Sequence, residues 1–323
     1  MLNDAVHHEH HALEVPPGLD GLRLDQALAQ LLPQYSRSAL KQWIEAGQAT
    51  LNAAPARPRS RVHAGDALAV TATLAPDEAL VPQAVGFRIA HEDAACIVVD
   101  KPAGVVVHPG AGNRDHTLVN GLLARYPELA VLPRAGLVHR IDKDTSGLLL
   151  VARTPATYQA LVRAMAARDI ARTYHAVVTG VPVAGGTIDA AIARDPNQRT
   201  RMRVSEGGRT AVTHYRVLAR YRAHALLEVN LETGRTHQIR VHMAWRGFPL
   251  VGDSRYGARP RPPRGAAATL RELLQGFPRQ ALHAGRLEFN HPLDGNVVVV
   301  ESPLPDDLRS LLEALAADAT AHA

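Results

Sequence analysis

The segment GLVHRIDKDTSGLLLVA, residues 136 to 152, places two apolar runs on either side of a charged loop. Apolar runs of this length predict buried strands, and flanking strands hold a short loop rigidly at the edge of a sheet. The polar residues displayed there would be His139, Arg140, Asp142, Lys143, Asp144, Thr145 and Ser146, with Gly147 allowing the chain to return. A plainer alternative is a salt-bridged turn in which Asp142 and Asp144 only cap backbone groups.

Around this segment the chain alternates strand-like and helical patterns. ACIVVD at 95 to 100 is strand-like, TPATYQALVRAMAARDI at 154 to 170 is helical, and the later chain is β-rich, with alternation over Leu227, Val229 and Leu231 and an apolar run at 297 to 300. Short turns between neighbouring strands favour antiparallel pairing. We therefore predict an α+β fold in which a large domain has a mixed, largely antiparallel β-sheet, flanking helices and a closing helix at 306 to 317.

A smaller unit precedes this domain. Apolar residues from Leu24 to Leu31 recur at helical spacing before Pro33, and a second helix, with Ser36 as its predicted N-cap, ends at Gly47. Short strand-like pieces follow at 49 to 51 and 67 to 70. The pattern indicates a small N-terminal α/β module with an anion-binding outer face of Arg and Lys.

These patterns divide the chain into five parts. Residues 1–15 are polar and lack a periodic apolar pattern, so they are predicted to be a disordered tail. The small module covers 16–74, and a linker with prolines and acidic residues covers 75–86. The large domain covers 87–312, and a C-terminal tail covers 313–323.

Charge and composition narrow the class of protein. The net charge of +5 over 323 residues suits a partner of polyanions. No apolar run is long enough for a membrane span, and the acidic, His-rich start is unlike a secretory signal, so a cytoplasmic protein is expected. Cys96 is the only cysteine, which excludes an intrachain disulfide.

Basic residues are concentrated in two segments of the chain. The first contains Arg23, Arg37, Lys41, Arg57, Arg59 and Arg61, and the second contains Arg235, Arg240, Arg246, Arg255, Arg259, Arg261 and Arg264. Solvated surfaces are the alternative interpretation of both segments.

A second polar segment is LETGRTHQIRVHMAWRG at 231 to 247. Its pattern turns helical after Gly234, which would let Arg240 point back into the body. His237 and His242 are five residues apart and miss the four-residue step of a helical metal pair, so no metal site is expected. Phosphate-loop, dinucleotide-binding and hydrolase motifs are absent. A glycosidase-like pair of Asp142 and Asp144 stays open.

Several segments together resemble the pseudouridine synthases typified by an HRLDxxTSG motif. HRIDKDTSG at 139 to 147 matches this motif, with Ile141 replacing Leu in a volume-conserving change. The other segments are DKPAGVVVHPGAG at 100 to 112, ARTYHAVVTG at 171 to 180, LETGRTHQIRVHM at 231 to 243 and LVGDSRYGARPRPPRGA at 250 to 266. The leading module, about 20 to 74, resembles an RNA-binding module first seen in a ribosomal small-subunit protein.

The resemblance implies an RNA pseudouridine synthase, an isomerase that needs no cofactor and no metal. It assigns Asp142 as the nucleophile, which attacks either the uracil ring or the ribose anomeric carbon. Arg140 would enter the RNA where the target uridine is flipped out, and Tyr174 would stack on the flipped ring. Arg240 would pair with Asp142 and keep it ionised, with Arg235 as the alternative partner.

The implied partner is large-subunit ribosomal RNA, with several target uridines in one hairpin loop, in an assembling or mature subunit. Neither a membrane nor an obligate protein partner is expected. The predicted RNA contacts are Arg23, Arg37, Lys41, Arg57, Arg59, Arg61, Arg235, Arg259, Arg261 and Arg264.

Two other functions stay open at this point. A non-catalytic RNA-binding ribosome-assembly factor could use the same basic surfaces, although binding alone does not need a carboxylate that faces a polyanion. A nucleosidase would release free base instead of reattaching it, and product analysis distinguishes it from an isomerase.

Overall fold

The computed structural model describes residues 7–33, 35, 37–74, 80–110, 113–198, 200–257 and 259–323. The helices are α1 (Leu24–Leu31), α2 (Arg37–Glu45), α3 (Leu118–Arg125), α4 (Pro155–Ala167), α5 (Gln238–Trp245), α6 (Ala268–Gly276) and α7 (Asp306–Thr320). The strands are β1 (His7–Glu14), β2 (Ala49–Leu51), β3 (Ala54–Pro55), β4 (Ala67–Leu74), β5 (Arg88–Glu92), β6 (Cys96–Lys101), β7 (Ser146–Ala152), β8 (Ala171–Thr179), β9 (Gly186–Asp189), β10 (Ile192–Arg194), β11 (Met202–Val204), β12 (Val212–Arg220), β13 (His224–Leu231), β14 (Leu282–Asn290) and β15 (Val297–Glu301). The predicted α+β class is confirmed. Within these ranges, no helix has both the length and the apolar character that a bilayer crossing requires.

The N-terminal module packs α1 and α2 on a four-stranded sheet in the order β1-β4-β2-β3. Its core is formed by apolar residues at the helical spacing of the two helices, such as Leu24, Leu28, Leu40 and Ile44, together with residues of β4. The pattern that predicted both helices therefore also identified the residues that they bury. The predicted cap Ser36 lies outside the described residues.

The predicted disorder of residues 1–15 is wrong over the stretch that the structure describes. β1 pairs with the whole of β4 in antiparallel register, from His7 opposite Leu74 to Glu14 opposite Ala67. This ladder pairs the backbone groups of β1 that face β4, and Val15 at its end is buried in the module core. Backbone hydrogen bonds to β4, which is distant in the sequence, thus replace the local apolar pattern whose absence suggested disorder.

The large domain is built on a nine-stranded sheet in the order β5-β6-β7-β14-β8-β13-β12-β9, with β15 added beside β14. Its pairs are antiparallel except for β7 and β14, which run parallel, with Ser146 opposite His283 and Gly147 opposite Ala284. Gly147 has φ +111°, and a Cβ on it would lie 2.2 Å from the Ala284 carbonyl oxygen. Glycine is therefore required where the two central strands meet.

Helices cover both faces of this sheet. α3 belongs to the core that contains Tyr174 and alternate residues of β8, whereas α6 and α7 pack with Val177 on the opposite face. The first apolar run of the 136–152 segment differs from its prediction, because Leu137 forms only an isolated bridge to Val151. A 3-10 turn at Pro133–Gly136 directly precedes it, so no strand can extend from Leu137 toward the N-terminus.

The structure describes the chain at two of the predicted domain boundaries, in part of the linker at 75–86 and at the start of the C-terminal tail at 313. Residues 75–79 lie outside the described residues, and the remainder of the proposed linker runs along α3, where the Asn120 side-chain amide donates to the Val81 carbonyl at 2.8 Å. At the other end, α7 runs from Asp306 to Thr320 and buries Leu315. The helix therefore crosses the predicted start of the C-terminal tail without a break.

Candidate active site

The loop from His139 to Thr145 is fixed to the body through its backbone. The Lys143 carbonyl accepts hydrogen bonds from Lys101 Nζ at 2.8 Å and from the Gly104 amide at 3.0 Å. The Asp144 carbonyl accepts from Arg279 Nη1 at 3.2 Å. Asp142 precedes these anchors, so its carboxylate is held on a rigid turn directly before the first residue of β7.

Lys101 is a buried cation in the support of this loop. Its side chain is fully buried, and Nζ also donates to the carbonyls of Pro102 at 2.8 Å and Val105 at 2.9 Å. Together with the Lys143 carbonyl these are three acceptors, which only the three N–H groups of an ammonium can satisfy. Burial lowers the pKa of Lys101, whereas the charge of Asp144 raises it, and the three carbonyl acceptors favour the protonated form.

Replacing Lys101 by methionine is expected to destabilise the fold by about 3 kcal/mol, because buried carbonyls left without donors cost roughly 1–3 kcal/mol each. Urea unfolding measures this change. The matched control is Lys143→Met, whose side chain is exposed and whose backbone carbonyl is unchanged. Equal stability of the Lys101 variant and the wild type would contradict the anchoring role.

Arg240 on α5 joins two carboxylates. Its Nη1 donates to Asp142 Oδ2 at 2.9 Å, while Nε and Nη2 donate to Asp253 at 2.7 and 2.9 Å. The Asp253 side chain is fully buried and also accepts from the amides of Arg255 and Tyr256, both at 3.0 Å. Asp253 therefore fixes the orientation in which Arg240 meets Asp142.

The contacts between Arg240 and Asp253 stabilise the charges of both side chains. Burial lowers the pKa of Arg240, but the hydrogen bonds to Asp253 and the charge of Asp142 outweigh it and raise the pKa overall. Burial likewise raises the pKa of Asp253, and the contacts with Arg240 outweigh it and lower the pKa. Arg240 is therefore a permanent cation placed beside Asp142.

Asp142 faces a pocket with about 550 Å³ of free space, part of which is open to solvent. Its side chain is 17% exposed, and its Oδ1 lies 3.9 Å from His237 Nε2. Tyr174 on β8 forms part of the wall and is almost fully buried, which raises the pKa of its phenol. The pocket thus contains a carboxylate whose Oδ1 is not bound by Arg240, next to an aromatic wall formed by Tyr174.

Tyr256 supports His237 from behind. Its hydroxyl lies 2.8 Å from both His237 Nδ1 and the Met202 amide, which donates to it. If the phenol donates to Nδ1, the proton of a neutral His237 is on Nε2 and faces Asp142. Burial lowers the pKa of His237, against the charge of Asp142. The ring of Tyr256 also lies 5.1 Å from the Arg240 guanidinium carbon.

The four residues predicted for catalysis all line this one pocket, and they are Arg140, Asp142, Tyr174 and Arg240. Arg140 is exposed at the mouth. Of the two arginines considered for Asp142, Arg240 makes the contact. Arg235 also lines the pocket, but its Nε donates to the Thr210 carbonyl at 3.0 Å.

The residues predicted to contact RNA are spread over the surface. Arg37, Arg57, Arg59, Arg259, Arg261 and Arg264 are exposed. Others have partners within the protein, since Arg23 forms a two-point ion pair with Asp25 and Lys41 lies 3.5 Å from Glu45. Arg61 donates to the Gly21 carbonyl at 2.5 Å. Their contacts with RNA stay a prediction.

Sequence reasoning missed Asp253, Tyr256, His237 and Arg172. The first two lie in the quoted segment LVGDSRYGARPRPPRGA, where a lone carboxylate between apolar and aromatic residues was an available signal. Arg172 is two residues before Tyr174 in β8, and side chains two apart in a strand share a face. That spacing places Arg172 beside Tyr174 in the pocket wall.

Both parts of this chain match known protein families. A family model described as RNA pseudouridylate synthase matches residues 95–245, and a model of the S4 domain matches residues 22–68. A human structure, RNA Pseudouridylate Synthase Domain Containing 1, superimposes with a TM-score of 0.55 and 28% identity, over 71% of this chain and 87% of that one.

Curated relatives match over nearly their whole length. The chain is 52% identical to "Ribosomal large subunit pseudouridine synthase D" of Xanthomonas campestris pv. campestris, over 94% of this chain and 92% of the relative. It is 51% identical to the protein of the same name in Pseudomonas aeruginosa, over 95% and 96%. For the Escherichia coli K12 protein of that name, identity is 46% over 94% and 93%.

Proposed function

The chain belongs to the RNA pseudouridylate synthase family, and from this membership we propose that it isomerises uridines to pseudouridine in a hairpin loop of large-subunit ribosomal RNA. The observation that carries the proposal is the Asp142 carboxylate in its pocket, with Oδ2 held by Arg240 and Tyr174 in the wall. The guanidinium of Arg240 is itself fixed by Asp253, so it holds this carboxylate in one position at the pocket.

The chemistry that follows uses only residues of this chain. Asp142 attacks the uracil ring or the ribose anomeric carbon, and the bond between the base nitrogen N1 and the sugar carbon C1′ breaks. The base rotates, its C5 bonds to C1′, and the bond to Asp142 breaks again. The proton on C5 leaves and N1 gains one, so the product is an isomer of the substrate. Atoms and electrons are conserved, so the reaction consumes no cofactor. Because Oδ2 is engaged by Arg240, we propose that Oδ1 is the attacking oxygen.

The target uridine has to leave the helical stack to reach Asp142. Arg140 is exposed at the mouth of the pocket, where it can occupy the space that the extruded base vacates. Its planar guanidinium can stack on the neighbouring bases and offset part of the flipping cost of a few kcal/mol. Tyr174 then faces the flipped ring inside the pocket.

The choice of RNA rests on the relatives and on the N-terminal module. The curated relatives are named for the ribosomal large subunit, and the S4 module presents exposed Arg37, Arg57 and Arg59. Such cations grip the RNA backbone without reading its sequence. We place the reaction in the cytoplasm, on the assembling or mature subunit, without an obligate protein partner.

The test is pseudouridine mapping by carbodiimide labelling and primer extension on large-subunit RNA. RNA from cells that lack the protein is compared with RNA from cells complemented with wild type or Asp142→Ala. The expected result is that specific marks disappear without the protein and return with the wild type alone. Marks that persist without the protein would overturn this RNA target.

Two other outcomes separate the remaining functions. Restoration of the marks by Asp142→Ala would remove the nucleophile assignment. If the marks never depend on the protein while subunit assembly does, the RNA-binding assembly factor becomes the better explanation. Free uracil in a reaction with purified protein would indicate a nucleosidase.

A further inference from the structure

Arg172 on β8 is a buried arginine without a carboxylate partner among the residues that the structure describes. Its relative exposure is 7%. Its Nε has no hydrogen-bond partner, and Nη2 makes only a long contact of 3.4 Å to the Leu231 carbonyl. A buried and uncompensated guanidinium is costly, which is why such groups are normally paired.

The fold makes space for this side chain. A Cβ on Gly234 would lie 2.9 Å from Arg172 Nη1, so the chain between β13 and α5 leaves room for the guanidinium where other residues would crowd it. Arg172 lines the Asp142 pocket and also a second, wider depression next to it. It therefore forms part of the wall between the two spaces.

This second depression, the basic groove, has about 1650 Å³ of free space, part of which is open to solvent. Its charged and titratable lining consists of Arg134, Arg140, Arg172, Arg209, His108 and His139, and no Asp or Glu is among the lining residues that the structure describes. None of these four arginines lies within 4.0 Å of a carboxylate in the described ranges, unlike Arg240 or Arg279 of the same domain. Four cations without counter-ions produce a positive potential suited to a polyanion.

His139 adds a second unpaired donor to this wall. Its Nε2 accepts a hydrogen bond from the Leu150 amide at 3.0 Å, so the neutral ring carries its proton on Nδ1. That nitrogen is buried and has no partner. Burial lowers the pKa of His139 to about 3, and the charge of Arg172 lowers it further, which keeps the ring neutral.

We propose that the basic groove binds the phosphodiester backbone next to the target uridine, and that Arg172 binds one of the two phosphates that flank this nucleotide. The proposal rests on the proposed function, because it takes the uridine in the pocket as its starting point. The pocket and the groove share Arg140, Arg172 and Gly234, so an RNA strand that leaves the pocket passes directly over Arg172. The planar fork of an arginine matches two phosphate oxygens.

The test uses a synthetic hairpin RNA with one mapped target uridine. The phosphodiester on either side of it is replaced in turn by a neutral methylphosphonate, and single-turnover isomerisation is measured with wild type and Arg172→Gln. We expect Arg172→Gln to lower the second-order rate constant roughly 100-fold on the unmodified RNA, the size typical of removing one partner of a buried charge pair. One of the two methylphosphonates should slow the wild-type protein by a similar factor. The same replacement should slow Arg172→Gln by less than about 3-fold relative to that variant on unmodified RNA.

Two further variants keep the interpretation specific. Arg172→Lys should regain part of the rate, because it restores the cation without the fork. Arg271→Gln removes an exposed charge from α6, on the opposite face of the sheet, and should change the rate less than about 3-fold. Thermal unfolding of each variant shows whether the fold is retained.

The proposal is wrong if the Arg172→Gln substitution and the methylphosphonate replacements act independently of each other. If both methylphosphonates slow wild type and Arg172→Gln by the same factors, Arg172 does not contact either phosphate. If wild-type protein fails to isomerise the hairpin, the proposed function fails, and the same cycle measured as equilibrium binding to the hairpin still decides whether Arg172 and a flanking phosphate are coupled.

Discussion

Asp142→Asn is expected to reduce the single-turnover rate of pseudouridine formation by at least about 10⁴-fold, the scale of loss seen when a catalytic nucleophile is removed. The amide keeps the size of the side chain and can still accept a hydrogen bond from Arg240, which lies 2.9 Å from Oδ2. It cannot supply the negatively charged oxygen that attacks. RNA affinity should change less than about 3-fold, because the groove and the S4 module are untouched.

The matched control for this prediction is Asp144→Asn. Asp144 lies two residues further along the same loop and contributes the same charge, but it does not line the pocket. Its substitution should slow the reaction less than about 10-fold. If both variants lose the same amount of activity, the loss reflects the net charge of the loop and the assignment of Asp142 is wrong.

Asp253→Ala is expected to lower the free energy of unfolding by about 3–5 kcal/mol, because it leaves the buried charge of Arg240 without its two-point partner. For a domain of this size the midpoint of thermal unfolding should fall by roughly 10 °C. The Asp253 pKa is lowered from its ordinary value of 3.8. The stabilisation is therefore complete above that value and is lost as the pH falls through the native pKa, so measurement at pH 7 captures all of it.

The control pair is Arg286 and Glu288, which lie on the surface with side chains 37% and 39% exposed. Glu288→Ala should cost less than about 1 kcal/mol, as exposed ion pairs do. Asp253→Asn retains the side-chain volume and is the variant for kinetics, where a fall in kcat with little change in KM would indicate misdirected Arg240. Wild-type stability in Asp253→Ala would contradict the orienting role.

Local patterns in the sequence were enough to predict much of the secondary structure around the site, but not the first apolar run of the 136–152 segment, where Leu137 forms only an isolated bridge. The helical spacing that predicted α4 and the apolar run that predicted β6 depend on residues a few positions apart, and both elements form as expected. β1 could not be predicted this way, because its stability comes from pairing with β4 far along the chain. Distant pairing is invisible to a local window.

The residues of the site likewise fall into those that the sequence indicated and those that only the structure identified. A charged loop between apolar runs was enough to indicate Asp142 as a candidate, and the resemblance supplied Tyr174 and Arg240. The burial of Asp253 and the missing partner of Arg172 are properties of the assembled structure. A sequence shows which residues carry charge, but the folded chain determines which charges are left without compensation.

The parallel pairing of β7 and β14 has a consequence for the timing of synthesis. Ser146 contacts His283 across 137 positions of sequence, and joining segments so distant carries a large loop-closure cost. The N-terminal module has all four of its strands within the first 74 residues, so on a translating ribosome it can fold while β14 is still unmade. We expect the growing polypeptide to gain its grip on RNA early, and to hold Asp142 in its final position only after β14 has been translated.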